Sequence, residues 1–251
     1  LNELGFSDFA GSTLVHAAGA SAALAGAIVL GPRIGKYKDD GSVTPMPGSN
    51  MPLATLGTFI LWLGWFGFNG GSQLALGTIG DAADVSRIFT NTNTAAAGGA
   101  LAALILTQVM YKKIDLTMVL NGALAGLVSI TAEPLAPSIG GATIIGAIGG
   151  IIVVFAVPML DKLKIDDVVG AISVHGIAGI WGTIAVIFSG GSVSAQIIGT
   201  VSICLFIFIL SLVIWYILDA LMGIRVSEED ELTGLDTTEL GMDAYPDFSK
   251  S

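Results

Sequence analysis

Long, uninterrupted apolar stretches separated by short polar gaps dominate this chain of 251 residues. Seven of the stretches have, or nearly have, the roughly 20 residues that a helix needs to cross about 30 Å of hydrocarbon. They predict spans at residues 9–30, 53–76, 94–110, 118–131, 139–160, 168–188 and 197–222. Because apolar residues run on without alternating with polar ones, the strands of a membrane barrel are not expected.

The glycines refine this picture of the membrane segments. Many of the 34 glycines stand four residues apart within a span, as Gly122 and Gly126 do, and Gly146 and Gly150. Small residues at this spacing lie on one face of a helix and let two backbones approach closely in lipid. The sequence therefore predicts an all-α fold, a polytopic membrane helix bundle over residues 1–222, followed by a polar, acidic tail over residues 223–251.

Composition and charge agree with a membrane protein and exclude several functions. Hydrophobic residues make up 53% of the chain and charged residues 12%, about half the usual charged share. The net charge of −10 comes largely from the tail, and the basic residues form no cluster suited to nucleic acid. Cys204 is the single cysteine, so neither an intrachain disulfide nor a cysteine metal site is possible. No metal or other cofactor is expected.

The basic residues predict how the chain is oriented in a cell membrane. They follow the first, third, fifth and seventh predicted spans, whereas the other gaps contain only Arg87. The residues that follow those four spans are Arg33, Lys36, Lys38, Lys112, Lys113, Lys162, Lys164 and Arg225. By the positive-inside rule, Leu1 lies outside the cell and the C-terminus is cytoplasmic.

The only two histidines stand in matching surroundings. Asp8 leads His16 by eight residues, and Asp167 leads His175 by the same interval, with a glycine and a valine at equivalent places. The charge pattern puts the Asp8 end of its span outside and the Asp167 end of its span inside. The two copies therefore cross in opposite directions, which indicates an inverted repeat of the kind that transporters use.

The interval of eight residues also predicts the depth of the histidines. Eight residues of helix rise about 12 Å, which places both rings near the centre of the bilayer, where they can touch if the repeats pack face to face. Ionisable groups at this depth are usually functional, although two neutral histidines bonded to backbone carbonyls would be an alternative. Since no lysine or arginine shares these spans, the pair suits a small neutral solute better than an ion. Asp8 and Asp167 are predicted to cap helix N-termini, and Asp8 could also steer a cation.

The second span ends in an aromatic and glycine-rich segment from Trp65 to Ser72, which includes Phe68 and the polar Asn69. Aromatic side chains at the edge of a membrane are often anchors, but an aromatic face can also hold a cation. Spacing alone leaves both interpretations open.

Taken together, the segment from Trp65 to Ser72, both Asp-x7-His elements and the tail motifs resemble the ammonium transporter family, which includes the Rhesus proteins. The tail motifs are Gly223-Ile-Arg-Val226 and Gly234-Leu-Asp236. The resemblance implies an eleven-span protomer, of which about seven spans are present, in a homotrimer with one pore per protomer. It implies that His16 and His175 are paired pore histidines and that Trp65 lines the pore. It also implies that Phe68 is one ring of an outer gate and that Ser72 is part of an ammonium-recruiting site supported by Asp8. Asn69 and Asp167 are expected to be structural or helix-capping residues.

The resemblance implies that ammonium is recruited outside and that ammonia passes the histidines, while the tail regulates the pore and binds a P-II nitrogen regulatory protein. An ammonium sensor on the same scaffold is the alternative, and a seven-span receptor is a further one. An enzyme is not expected, because no nucleophile–base pair appears. The sequence departs from the family in two respects. About four earlier spans, with a second gate phenylalanine and an outer tryptophan, are absent from these residues, and Leu240 replaces the usual tail histidine. We therefore interpret the chain as the C-terminal part of such a transporter.

Overall fold

The structure is a computed structural model that describes residues 1–245, so residues 246–251 of the predicted tail lie outside the described residues. Within the described part the regular secondary structure is helical, apart from an isolated bridge between Tyr37 and Val43. A short 3-10 helix at Asn2–Leu4 comes first. The helices that follow are α1 (Ser12–Leu30), α2 (Met51–Gly71), α3 (Ile79–Tyr111), α4 (Leu116–Ile130), α5 (Ile139–Lys162), α6 (Ile172–Ser189), α7 (Val193–Met222), α8 (Glu228–Thr233) and α9 (Leu235–Leu240).

Helix α3 begins at Ile79, well before the predicted start at Thr94. Its first turn is closed by a capping box, in which Thr78 Oγ1 accepts a hydrogen bond from Asp81 N and Asp81 Oδ2 accepts one from Thr78 N. At 33 residues the helix is roughly 50 Å long, so its charged first turns extend beyond the hydrocarbon. The prediction followed hydropathy alone and therefore missed these turns.

Six of the helices are long and apolar enough to cross a membrane. Helix α4, the fourth of the seven predicted spans, has only 15 residues, about 23 Å of helix. It packs against α2, α3, α5 and α6, so most of its surface meets protein. A helix shielded in this way does not have to match the thickness of the bilayer, which explains how the shortest of the seven predicted spans can have only 15 residues.

The tight helix packing predicted from the glycines is confirmed where α3, α4 and α5 meet. A Cβ atom built on Gly146 of α5 would lie 2.0 Å from the carbonyl oxygen of Ala95 in α3, and one on Gly150 would lie 2.2 Å from that of Gly99. A Cβ atom on Gly126 of α4 would also lie 2.2 Å from Ala95 O. These backbones are therefore in direct contact, and no larger residue fits between them.

Helices α1 and α6, which carry the histidines, run antiparallel. Near the start of α1, Thr13 Oγ1 lies 2.6 Å from Thr183 Oγ1, which is close to the end of α6. Beyond the end of α1, Arg33 donates two side-chain hydrogen bonds of 2.8 Å to Asp166, just before α6. Burial acts to raise the pKa of the Asp166 carboxyl, but the hydrogen bonds and charge of Arg33 lower it below its ordinary value.

After Met222 the chain leaves the bundle and folds back onto the loop that follows α1. Arg225 donates hydrogen bonds to the carbonyl oxygens of Leu30 and Pro32 and pairs with Glu231, at 2.9 Å. The other oxygen of Glu231 accepts a hydrogen bond from Ile34 N. Arg225 and Glu231 thus fasten the start of the tail to the end of the bundle that carries Arg33 and Asp166.

Candidate functional site

Each histidine lies in a π-helical turn that opens its helix. These turns cover Ser12–Ala17 in α1 and Ile172–Ile177 in α6. A glycine with a positive φ precedes each turn, at 106° for Gly11 and 81° for Gly170. Other residue types rarely adopt this conformation, so glycine is required where the chain enters each of the two helices. Such π-turns are uncommon and frequently lie at functional sites.

An aspartate caps each of these turns in the same manner. Asp8 accepts hydrogen bonds from the backbone N–H groups of Thr13 and Leu14, five and six residues along the chain. Asp167 accepts from Ile172 and Ser173, at the same two intervals. In both helices the carboxylate therefore satisfies donors that the helix start would leave unpaired.

The two caps differ in how much of the carboxylate they occupy. Asp167 uses both oxygens and also accepts a hydrogen bond from the Ser173 hydroxyl. Asp8 accepts both backbone donors on Oδ2, and its buried Oδ1 has no hydrogen-bond partner among residues 1–245. Leu14 stands where Ser173 stands in the other copy and offers no hydroxyl. Burial raises the pKa of the Asp8 carboxyl above its ordinary value, although the backbone donors act against this.

The two histidine rings are in contact with each other. Nδ1 of His16 lies 3.2 Å from Nδ1 of His175, and the ring centroids are 5.1 Å apart with an interplanar angle of 23°. His16 is buried, and its Nε2 atom has no hydrogen-bond partner in the described part of the chain. Since a Nδ1–Nδ1 hydrogen bond needs one donor and one acceptor, one Nε2 of the pair carries a proton and the other a lone pair when both rings are neutral.

Two aromatic side chains of α2 extend the ring cluster on the side of His16. Trp65 stacks on His16 with centroids 5.0 Å apart and an interplanar angle of 17°, and Phe68 lies 5.3 Å from the same ring. Trp65 Nε1 donates to Thr131 Oγ1 at 2.9 Å, and Thr131 Oγ1 in turn donates to Leu127 O. Trp65 is therefore held by α4 while its ring faces the histidine.

Asn69 and Ser72 follow these aromatic residues but are placed differently. Asn69 is fully buried and donates to Thr92 Oγ1 of α3, which joins α2 to α3. Ser72 lies just beyond the end of α2, and its hydroxyl donates to Phe68 O. Within residues 1–245, neither Ser72 nor Asp8 shares a hydrogen bond or ring contact with the histidines.

Two residues around the site were missed in the sequence. Thr131 holds Trp65, and Gln196 of α7 is fully buried and bonded to the segment that precedes Asp8. Each is a polar residue at the end of an apolar run, which is a weak signal of a buried hydrogen bond. Their partners lie 66 and 189 residues away along the chain, so the sequence could not reveal which groups they bind.

A membrane helix bundle with two contacting histidines and an aromatic wall deep among its helices belongs to the class of polytopic transporters and channels. The model of the Ammonium Transporter Family matches residues 1–245. The chain belongs to the ammonium transporter family, whose members are transporters and not enzymes, as the sequence motifs had indicated.

Curated relatives and solved structures agree with this assignment. The chain is 42% identical to the ammonium transporter Amt2 of Archaeoglobus fulgidus over 96% of this chain and 55% of that protein. It is also 42% identical to Amt2 of Methanocaldococcus jannaschii over 96% of this chain and 57% of that protein. The chain spans little more than half the length of these relatives.

Among solved structures, one described as Sensor Amt Protein superposes with a TM-score of 0.90 at 40% identity, over 95% of this chain and 61% of that one. Mep2 of Candida albicans gives a TM-score of 0.77 at 28% identity, over 91% of this chain and 54% of that one. The all-helical membrane fold predicted from the sequence is therefore confirmed.

Proposed function

We propose that this chain is the C-terminal part of an ammonium transporter that recruits ammonium at the Asp8 end of the bundle and conducts ammonia past His16 and His175. The observation that carries the proposal is the Nδ1–Nδ1 contact of 3.2 Å between two histidines deep among the helices. The neutral pair offers one donor and one acceptor, which matches ammonia, a solute that both donates and accepts hydrogen bonds.

The energetic reason for moving ammonia rather than ammonium is dehydration. Taking a bare cation out of water costs several kcal/mol or more unless an opposite charge replaces the water. Neither α1 nor α6 carries a lysine, arginine, aspartate or glutamate inside its helical range, so these two helices place no such charge within the span beside the histidine pair. Ammonium therefore loses its proton before it reaches the histidine pair or beside the pair. The proton either stays behind on the outer side or crosses separately from ammonia.

The groups on the entry side of the pair are suited to recruiting a cation. The free, buried Oδ1 of Asp8 supplies an acceptor, and Trp65 and Phe68 supply ring faces that attract a cation. Ser72 lies one helical turn beyond Phe68 and adds a hydroxyl oxygen near the same end of α2. In this scheme Asp167, whose oxygens are all occupied, has a structural role only.

The wider architecture follows the same proposal. The antiparallel α1 and α6, each capped by an aspartate at the same two intervals, support an inverted repeat that brings the two histidines together from opposite sides. The basic residues orient Asp8 outside and the tail, residues 223–251, in the cytoplasm. There the tail regulates the pore and offers a surface to a P-II nitrogen regulatory protein, and three copies assemble as a homotrimer.

The decisive experiment reconstitutes the protein in liposomes and follows ammonium uptake and current for His16→Ala and His175→Ala. We expect uptake to fall roughly tenfold or more in each variant, because leaving a buried hydrogen-bonding partner unpaired costs about 1–3 kcal/mol. Ser86→Ala is the control, since the exposed Ser86 hydroxyl donates to Ala82 O of its own helix. Equal uptake and equal selectivity in both histidine variants and the control would refute the proposed role.

The second candidate function is ammonium sensing on the same scaffold, which the match to a structure described as Sensor Amt Protein favours. A sensor would use the same histidine pair to bind ammonium and would report occupancy through the tail. The same liposome assay separates the two functions, because a sensor shows binding of ammonium with little or no net uptake.

A further inference from the structure

A buried glutamine lies behind the segment that carries Asp8. Gln196 is in the first turns of α7 and is fully buried. Its Oε1 accepts a hydrogen bond of 2.8 Å from Ser7 N, and its Nε2 donates one of 2.7 Å to Ser7 O and one of 2.9 Å to Thr183 O in α6. The amide therefore pairs with both backbone groups of Ser7, as a neighbouring strand would, and also joins the segment to α6.

Further contacts hold the same segment on both sides of Asp8. On the Gln196 side, Phe6 packs so closely on α7 that a Cβ atom on Gly199 would lie 2.1 Å from its ring. On the other side, Phe9 N donates to Ala132 O at 2.8 Å, just beyond the end of α4. Asp8 thus lies between one anchor on α7 and another on α4, and Gln196 is the only side chain among these contacts that bonds the backbone adjacent to Asp8.

We infer that Gln196 is a positioning residue, which sets the place of the Asp8 carboxylate at the entrance and thereby the apparent affinity for ammonium. This inference rests on the proposed function. Asp8 Oδ2 is fixed by the helix start, so the direction of the free Oδ1 depends on how the chain enters α1. Among the contacts that hold this entry, Gln196 holds the backbone of Ser7, next to Asp8. Loss of the amide lets the segment shift, whereas the histidine pair, which is held by α1 and α6 themselves, stays in place.

The test measures ammonium uptake by the reconstituted protein at a series of ammonium chloride concentrations, with Gln196→Met as the main variant. Methionine has a similar length but makes none of the three hydrogen bonds. We expect KM to rise roughly tenfold with the maximal rate within about twofold of wild type, because small misplacement of a binding group can reduce its effect by up to about 100-fold. A purely structural role would instead lower the amount of folded protein and leave KM unchanged.

Two further variants complete the test. Ser7→Ala keeps the backbone groups that Gln196 binds, so its KM should equal that of wild type. Ser7→Pro removes the N–H donor from the exposed loop and should raise KM even if Gln196→Met does not fold. An unchanged KM in Gln196→Met, or in Ser7→Pro where the methionine variant does not fold, would overturn the inference. The proposed function has its own separate failure, which is the absence of any effect of the histidine variants on uptake.

Discussion

Replacing Gly146 by alanine would test how strictly the junction of α3, α4 and α5 requires glycine. The added Cβ atom would lie 2.0 Å from Ala95 O, whereas ordinary contact begins at 3.4 Å, so α5 has to move by about 1.4 Å. Overpacking of this kind typically costs about 1–3 kcal/mol. For a chain of this size that corresponds to a fall in melting temperature of roughly 3–10 °C.

Thermal unfolding of the purified protein in detergent, followed by circular dichroism, measures this effect. Gly57→Ala is the matched control, because Gly57 is also inside a helix and its added Cβ atom would meet nothing within 4 Å. In the control, alanine should leave the melting temperature unchanged or raise it slightly, since glycine lowers helix stability by about 1 kcal/mol relative to alanine. If Gly146→Ala melts at the same temperature as Gly57→Ala, the backbone contact is not what restricts this position.

Two further predictions concern the carboxylates at opposite ends of α1. Leu14→Ser gives Asp8 a neighbouring hydroxyl like the one that Ser173 gives Asp167. We therefore expect this variant to have a higher KM for ammonium in liposome uptake than the control Leu14→Ala. Equal KM values would show that Asp8 does not need a free oxygen. The pKa of Asp166 is lower in the folded protein than in the unfolded chain. Its ion pair with Arg33 therefore stabilises the fold at pH values above the ordinary aspartate pKa of about 3.9. This contribution is lost as the pH falls through the lower pKa of the folded state. The difference in melting temperature between wild type and Asp166→Asn should therefore be largest near neutral pH and shrink below about pH 4, and a difference independent of pH would contradict the assignment.

Sequence reasoning predicted the features of the fold that depend on local pattern. The apolar runs located every long helix, and the glycine spacing indicated where helices touch. The start of α3 was missed because Asp81 and Arg87 interrupt the hydropathy without interrupting the helix. The shortness of α4 was predicted, since the fourth apolar run covers residues 118–131 and the helix covers Leu116–Ile130, but its burial by other helices cannot be seen in one segment.

The depth of the two histidines in the bilayer could be predicted, because it follows from counting residues along a helix. The common interval between aspartate and histidine placed both rings at one level, and the structure brings them into contact. The supports of the site depend on tertiary contacts. Nothing in the sequence around Thr131 shows that its hydroxyl meets Trp65, and nothing around Gln196 points to Ser7.

The contact between the two histidines through like atoms has a consequence for the polarity of the pair. Either ring can be the donor, so two neutral arrangements exist, and they differ only in the positions of two protons. In one arrangement His16 is the donor and His175 the acceptor, and in the other arrangement these roles are exchanged. A pair that can reverse in this way has no fixed donor end, so under the proposed function it would favour neither direction of ammonia passage.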